Sequence, residues 1–413
     1  MTDISADNLR SPMPSSPQDF SLRRMALPAF GPSLMFGLCE GTILPVLALS
    51  ARALGASLAV AGLVVALVGL GSLLANIPAA WLATRFGERR AMVGAAGFCL
   101  VALVLCLVAR SVWLLGLGVF MVGLARAVFM LARQAFLVEA APLHLRARAM
   151  AMLGGVHRVG MFAGPFLGAA FIGWLGLDGA YWAALLVMLA TGALSLLVPD
   201  LPTRAQAGAA APQAVPAPAA MVRAHGRVLL TLGVATALVA AIRACRQVVI
   251  PLWASHIGLD AASTSLIYGL MGAVDMLLFY PAGRVMDRRG RRAVALPSML
   301  VMGASFCLMP LTGGFASLLA ASLLMGVGNG VGAGIVLTIG ADASPAAGRT
   351  QFLGIWRVIT DIGGGGGPLL LSALTAAITL AGGVLVTGGL GFVAAWMFWR
   401  WLPAAPANLP AKA

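Results

Sequence analysis

Charge is scarce in this sequence. Of its 413 residues only 10% are Asp, Glu, Lys or Arg, whereas 61% are apolar and the mean hydropathy is +0.97. Soluble domains carry about a quarter charged residues, so a water-soluble globular fold is excluded. Lysine is scarcer still: of 27 basic residues, all but Lys412 are arginine. A phosphate-binding loop needs a mid-chain lysine, and so does Schiff-base chemistry. Neither ATP-driven work by this chain alone nor an imine mechanism fits. The four histidines (His144, His157, His225, His256) are scattered over separate segments, which leaves a membrane-embedded hydrolase or transferase without its cluster of reacting groups. Cys39, Cys99, Cys106, Cys245 and Cys307 lie inside apolar runs without CxxC spacing. They read as small core residues, and neither a disulfide, a zinc site nor any other cofactor is expected.

What is present is a succession of apolar runs. At about 20 residues per crossing, spans are expected near 26–50, 58–82, 91–109, 112–138, 148–174, 180–198, 228–255, 262–284, 293–311, 315–340, 350–376 and 379–400. The first run carries Glu40 and is too long and too charged for a cleaved leader, so it reads as a retained span. Residues 1–25 read as a disordered tail, 26–198 as one six-helix bundle, 228–401 as a second, and 402–413 as another tail. Between the bundles, 199–227 is rich in Ala and Pro and is expected to be a flexible linker.

Orientation follows from arginine, because Lys and Arg are retained on the cytoplasmic side. With the amino terminus inside, nineteen basic residues fall in inner tails and loops, and only Arg52 and Arg110 in outer loops. Both termini and the linker are therefore expected in the cytoplasm. The same asymmetry accounts for the net charge of +14 without a nucleic-acid partner.

The halves repeat at a single offset. Pro78 maps to Pro281, 203 residues on, and in the same register Arg85 maps to Arg288, Gly87 to Gly290, Gly123 to Gly326, Arg146 to Arg349, Gly164 to Gly367 and Pro165 to Pro368. An offset of six spans keeps the orientation, so these are parallel repeats about an axis normal to the membrane. The expected fold is an all-α membrane protein of twelve helices in two parallel-repeat bundles.

After the eighth span comes Gly283-Arg284-Val285-Met286-Asp287-Arg288-Arg289-Gly290-Arg291-Arg292, which matches the loop signature GxxxDRxGRR of the major facilitator superfamily. The counterpart after the second span keeps Arg85, Gly87 and a basic pair but has Thr84 in place of the acid. With its two six-span halves and long linker, the chain resembles that family over roughly 26–400. In the fifth span, Gly160, Gly164 and Pro165 fall in a run similar to the family's antiporter signature GxxxGPxxGG, with a looser copy at Gly363–Gly367-Pro368. The resemblance implies gating by the two loops and associates the span-five pattern with proton-coupled export. Ordinary small-residue helix packing is the other reading of that pattern.

Ionisable residues at mid-depth cost about 2.5–3.5 kcal/mol each on insertion scales and so face a cavity or a partner. Glu40, Arg126, Arg158, Arg243, Asp275 and Asp361 lie deep in their spans and are the candidates for proton coupling and the central cavity. Arg126 falls where the family's span-four arginine is expected. Arg158 and Asp275 also admit a permanent structural pairing, and His157 reads as a packed neighbour of Arg158. Arg246 divides evenly between gate and binding site, Arg357 reads as part of the inner gate, and Arg133 with Glu139 reads as stabilising a cytoplasmic loop. Spans three, six, nine and twelve carry no charge at mid-depth, as the family's lipid-facing outer helices would require. The expected function is alternating-access, proton-coupled efflux of a small amphipathic compound, by a monomer in a bacterial inner membrane. Proton-coupled uptake of a small organic anion is the alternative. A carboxy-terminal fluorescent-protein fusion should fluoresce and an alkaline phosphatase fusion at the same place should be inactive; the reverse pattern would overturn the assigned orientation.

Overall fold

The computed structural model describes residues 22–140, 143–199, 218–345 and 349–403. The described chain is helical throughout: α1 (Leu22–Ala53), α2 (Leu58–Phe86), α3 (Glu88–Leu107), α4 (Val112–Ala140), α5 (Leu143–Leu175), α6 (Asp178–Leu196), α7 (Pro218–Val228), α8 (Val234–His256), α9 (Ala261–Arg289), α10 (Arg292–Leu308), α11 (Phe315–Val331), α12 (Ile335–Ala343), α13 (Arg349–Ala377) and α14 (Leu380–Trp401). Helices satisfy their backbone groups within one segment, as hydrocarbon requires. A π-helical turn over Leu229–Gly233 joins α7 to α8, and α11 and α12 are two pieces of one span broken at Gly332–Gly334.

Eleven stretches among the described residues are long and apolar enough to cross a membrane, against the twelve expected. The one that misses is α13. Its length of 29 residues suffices, but Arg357, Asp361 and the glycine run Gly363–Gly367 dilute its hydropathy. The expected linker also needs correction: 218–227 belong to α7, where Met221 is buried and Arg223 is not. Residues 200–217 of that linker lie outside the described residues. So do the two expected tails, apart from the start of α1 at Leu22 and the end of the described chain at residue 403.

The repeat is visible in the backbone. The Ser57 side chain accepts from Val60 N at the start of α2, and Asp260, its counterpart, accepts from Ser263 N at the start of α9. Asp260 lies outside the spans, and these bonds hold its carboxyl below the usual range. At the other ends of the same helices Gly87 and Gly290 take φ of +83° and +87°, which favours glycine. Their N–H groups donate to Ala83 O and Met286 O, again one repeat apart.

Close packing repeats as well. Gly160 and Gly164 of α5 lie on the α1 backbone at Leu34–Gly41, and Gly363 and Gly367 of α13 lie on the α8 backbone at Ala237 and Ala241. A methyl group added at any of the four would come within 3.0 Å of the facing backbone. Bare backbone there lets dispersion contacts replace the hydrophobic drive that lipid does not supply.

The peripheral helices α3, α6, α10 and α14 bury one face, with Leu103, Tyr181, Phe306 and Phe398 on it, and expose apolar residues on the other, among them Val101, Leu186, Leu300 and Trp396. Between the halves, the outer ends touch: Gly62 of α2 faces Ser372 of α13, and Gly269 of α9 lies against the Phe166 ring of α5. Towards the inner ends the same helix faces are uncovered: Gly155 of α5, Gly283 of α9 and Gly354 of α13 meet nothing within 4 Å. The cleft is thus closed on the side assigned to the outside and open on the side assigned to the cytoplasm. Gly164→Ala or Gly367→Ala should destabilise the protein by about 1–3 kcal/mol through overpacking. Gly154→Ala, on the same helix but facing open space, should be neutral or slightly stabilising; thermal unfolding in detergent compares the three.

Candidate functional site

A cavity of about 630 Å³ lies between the halves, and all six deep residues singled out from the sequence line it: Glu40, Arg126, Arg158, Arg243, Asp275 and Asp361. They reach it from α1, α4, α5, α8, α9 and α13. Each projects inward because the opposite side of its helix packs on a neighbour or faces lipid, where an unpaired charge is costly.

In the amino-terminal half the centre is Glu40, whose side chain is 6% exposed. Arg126 Nε lies 2.7 Å from its Oε1 and His157 Nε2 lies 3.2 Å from its Oε2. The other ring nitrogen of His157 is 3.4 Å from Ser33 O. His157 is therefore a partner of Glu40 and not simply a packed neighbour of Arg158. Arg133, further along α4, is buried at 5% exposure, with Nε and Nη1 lacking a hydrogen-bond partner among the described residues. It is not a surface loop anchor.

In the carboxy-terminal half Asp275 Oδ2 accepts from Asn329 Nδ2 at 2.6 Å and lies 3.5 Å from Arg246 Nη1. Arg246 thus belongs to the cavity and not to an outer gate. Arg243 Nη2 donates to Gly332 O at 2.5 Å. That carbonyl stands at the break between α11 and α12, where it also accepts from Ile335 N at 3.2 Å. On α13, Arg357 Nε and Asp361 Oδ2 form an i,i+4 pair at 3.8 Å, and Arg357 lines the cavity.

Arg158 does not pair with Asp275. Its guanidinium lies 4.7 Å from the centre of the Phe279 ring across the α5–α9 contact. Among the described residues, neither Arg158 nor Arg243 has a carboxylate within ion-pair distance.

The loop motifs form a separate layer at the inner ends. Gly290 closes α9, and Arg291 reaches across to Asp342 of α12 at 2.7 Å. Asp287 and Arg288 are exposed and make no ion pair among the described residues, and Gly283 has open space around it. In the other half Arg85 lies over the Trp81 and Phe86 rings, and Gly87 closes α2. None of these contacts crosses between the halves. Gly160, Gly164 and Pro165 are also outside the cavity lining, Gly160 and Gly164 being occupied in the α1 contact.

The sequence alone does not single out Asn329 or Gly332 as parts of the site. Asn329 stands one repeat after Arg126, so the offset of 203 residues is the available signal. Nothing in the sequence marks Gly332 as the carbonyl that Arg243 would reach.

The sequence model described as Major Facilitator Superfamily matches residues 33–244 and again 232–413. No curated relative matches the chain in sequence. Among solved structures, it is similar to the nucleoside transporter NupG, with a TM-score of 0.73 and 14% identity over 91% of this chain and 98% of that one. It is also similar to a D-xylose-proton symporter, with a TM-score of 0.69 and 16% identity over 93% and 98%. A third is a bacterial homologue of the human lysosomal transporter Spinster in an inward-facing, unoccupied conformation, with a TM-score of 0.70 and 15% identity over 94% and 100%. At these identities the likeness concerns the fold.

The Asp275–Asn329 bond makes a measurable claim. Asn329→Leu should cost about 1–3 kcal/mol by removing a donor from a partly buried carboxylate. Combined with Asp275→Asn the loss should be clearly less than additive in thermal unfolding, since both changes act on one bond.

Proposed function

From its membership of the major facilitator superfamily, which makes the chain a multi-span membrane transporter and not an enzyme, we propose that it carries a small amphipathic solute through the central cavity by proton-coupled alternating access. The observation that carries this reading is Glu40: a carboxylate buried at membrane depth, held by Arg126 and His157, at the wall of a cavity open to one side.

A proton on Glu40 removes the charge that holds Arg126. The guanidinium, whose side chain is 37% exposed, is then left without its counter-ion, and the cavity gains one positive charge. Both consequences alter how stable the inner-open form is relative to an outer-open one, and rocking of the two halves about their contacts interconverts them. Asp275 and Asp361 occupy the same cavity and are the further candidates for proton exchange. Met161, Phe162, Tyr268 and Met271 supply the apolar wall that an amphipathic solute needs.

Export is the direction that the family resemblance associates with the glycine–proline pattern of α5, a pattern that helix packing also explains. Uptake of an organic anion together with protons is the second reading, favoured by the balance of charge: five arginines line the cavity against three carboxylates. In this reading the protein works as a monomer in the inner membrane of a bacterium, with both termini in the cytoplasm.

In proteoliposomes carrying an internal pH dye, a transported solute should move protons with the wild-type chain. Glu40→Gln should reduce that movement to the level of empty vesicles while sparing downhill solute exchange. Wild-type proton movement in Glu40→Gln would remove this residue from coupling. The sign of the dye signal distinguishes exchange from joint transport.

A further inference from the structure

The charged groups of the cavity can be sorted by geometry. Arg126 is matched by Glu40, Arg246 by Asp275 and Arg357 by Asp361. Two arginines remain. Among the described residues, Arg158 meets the face of Phe279 and Arg243 the carbonyl oxygen of Gly332, and neither has an ion pair. Neither contact neutralises a positive charge. Asp275 lies within the field of Arg243, but its hydrogen bond is to Asn329 and its ion pair is with Arg246.

The two unmatched guanidiniums come from different halves, Arg158 from α5 and Arg243 from α8. Both line the same cavity. We propose that the solute is a small organic acid whose anionic group is held between Arg158 and Arg243, with its apolar body against the methionine and aromatic wall. This rests on the reading of the cavity as the translocation site, given above.

The chemistry of the two groups supports a carboxylate or similar oxyanion. A guanidinium presents several N–H donors in one plane and matches two oxygens at once. Arg243 has an Nε buried without a partner among the described residues, and Asn329 has a buried Oδ1 in the same state, so the carboxy-terminal side keeps hydrogen-bonding capacity in reserve. An uncharged or cationic solute would leave both arginines uncompensated, and a cation would add to their repulsion.

The bridge also has a mechanical consequence. In the empty cavity two like charges on opposing halves oppose each other's approach, which favours the open inner end. An anion between them replaces repulsion by two attractions and favours closure. The bound acid is thus part of what lets the halves come together.

The test uses the full-length chain in nanodiscs and a panel of carboxylates of seven to twelve carbons, aromatic and aliphatic, each beside its uncharged primary amide. At least one acid should raise the unfolding temperature with saturable dependence on concentration, and its amide should not. Arg158→Gln and Arg243→Gln should each weaken that acid's apparent affinity on the order of tenfold or more. Arg243→Lys, which keeps the charge and a donor towards Gly332, should lose less and reports on variants that merely fold poorly. Arg110→Gln, in an exposed outer loop, should bind as wild type.

The proposal is overturned if no acid stabilises the protein, if amides or amines stabilise it as well as acids, or if stabilisation survives both glutamine variants. Glu40→Gln separates this from the coupling reading. Acid binding retained with proton movement lost supports both. Acid binding retained with proton movement intact removes Glu40 from coupling and leaves the acid site standing.

Discussion

An ionised side chain inside a bilayer needs either a counter-charge or water, and this requirement organises the molecule. Glu40 is the sharpest case. Its carboxylate is almost fully removed from solvent, yet it has a guanidinium at 2.7 Å and an imidazole at 3.2 Å. Leaving a buried charge such as this one without its partner typically costs about 3–5 kcal/mol. The same logic draws charged residues from α4, α5, α8, α9 and α13 to the cleft between the halves, while the outermost helices remain free of charge at depth. A polar cavity in an apolar protein is thus the place where the ions can be paired or wet.

The two halves share a backbone plan and have diverged in charge. Glu40 and Arg126 form an ion pair in the first half, and their repeat equivalents are Arg243 and Asn329. Ser72 corresponds to Asp275, and Arg158 to Asp361. The glycine contacts of α5 on α1 and of α13 on α8 are the same in both halves, as are the caps at Ser57 and Asp260. Packing tolerates little change at positions where a methyl group would meet backbone. Cavity-facing positions carry no such restriction, so an acid and a base can exchange places there without disturbing the frame. One half holds a buried acid with bases around it, and the other a base tied to a broken helix.

Much of this was legible in the sequence for the same physical reasons. Long apolar runs, arginine asymmetry and a fixed repeat offset give the spans, because membrane depth and backbone satisfaction leave few alternatives. The six deep ionisable residues were found by cost alone, and all of them line the cavity. What was not legible depends on which side chains meet across helices. The pairing of Arg158 with Asp275 was plausible by depth, but helix rotation turns Arg158 onto Phe279 and gives Asp275 to Arg246 and Asn329. α7 looked like a linker because it is only 11 residues long and continues a run rich in alanine and proline. α13 fails a hydropathy criterion because the residues that serve the cavity are the ones that lower its apolar content.

The sign of coupling between proton and solute follows from charge once an anion is placed between Arg158 and Arg243. Protonating Glu40 takes one negative charge from the cavity, so an anion is held more tightly by the protonated form. Linkage is reciprocal, and the bound anion must then raise the affinity for the proton by the same factor. Two ligands that strengthen each other favour moving together, whereas exchange requires each to weaken the other. Electrostatics therefore ranks uptake of an organic acid with protons above its export against them. The glycine–proline pattern of α5 does not oppose this ranking. Its glycines admit the α1 backbone, and Gly363 and Gly367 admit α8 in the same way. A pattern that packing explains in both halves carries no direction, and the direction of transport is left to the sign with which the bound charges act on one another.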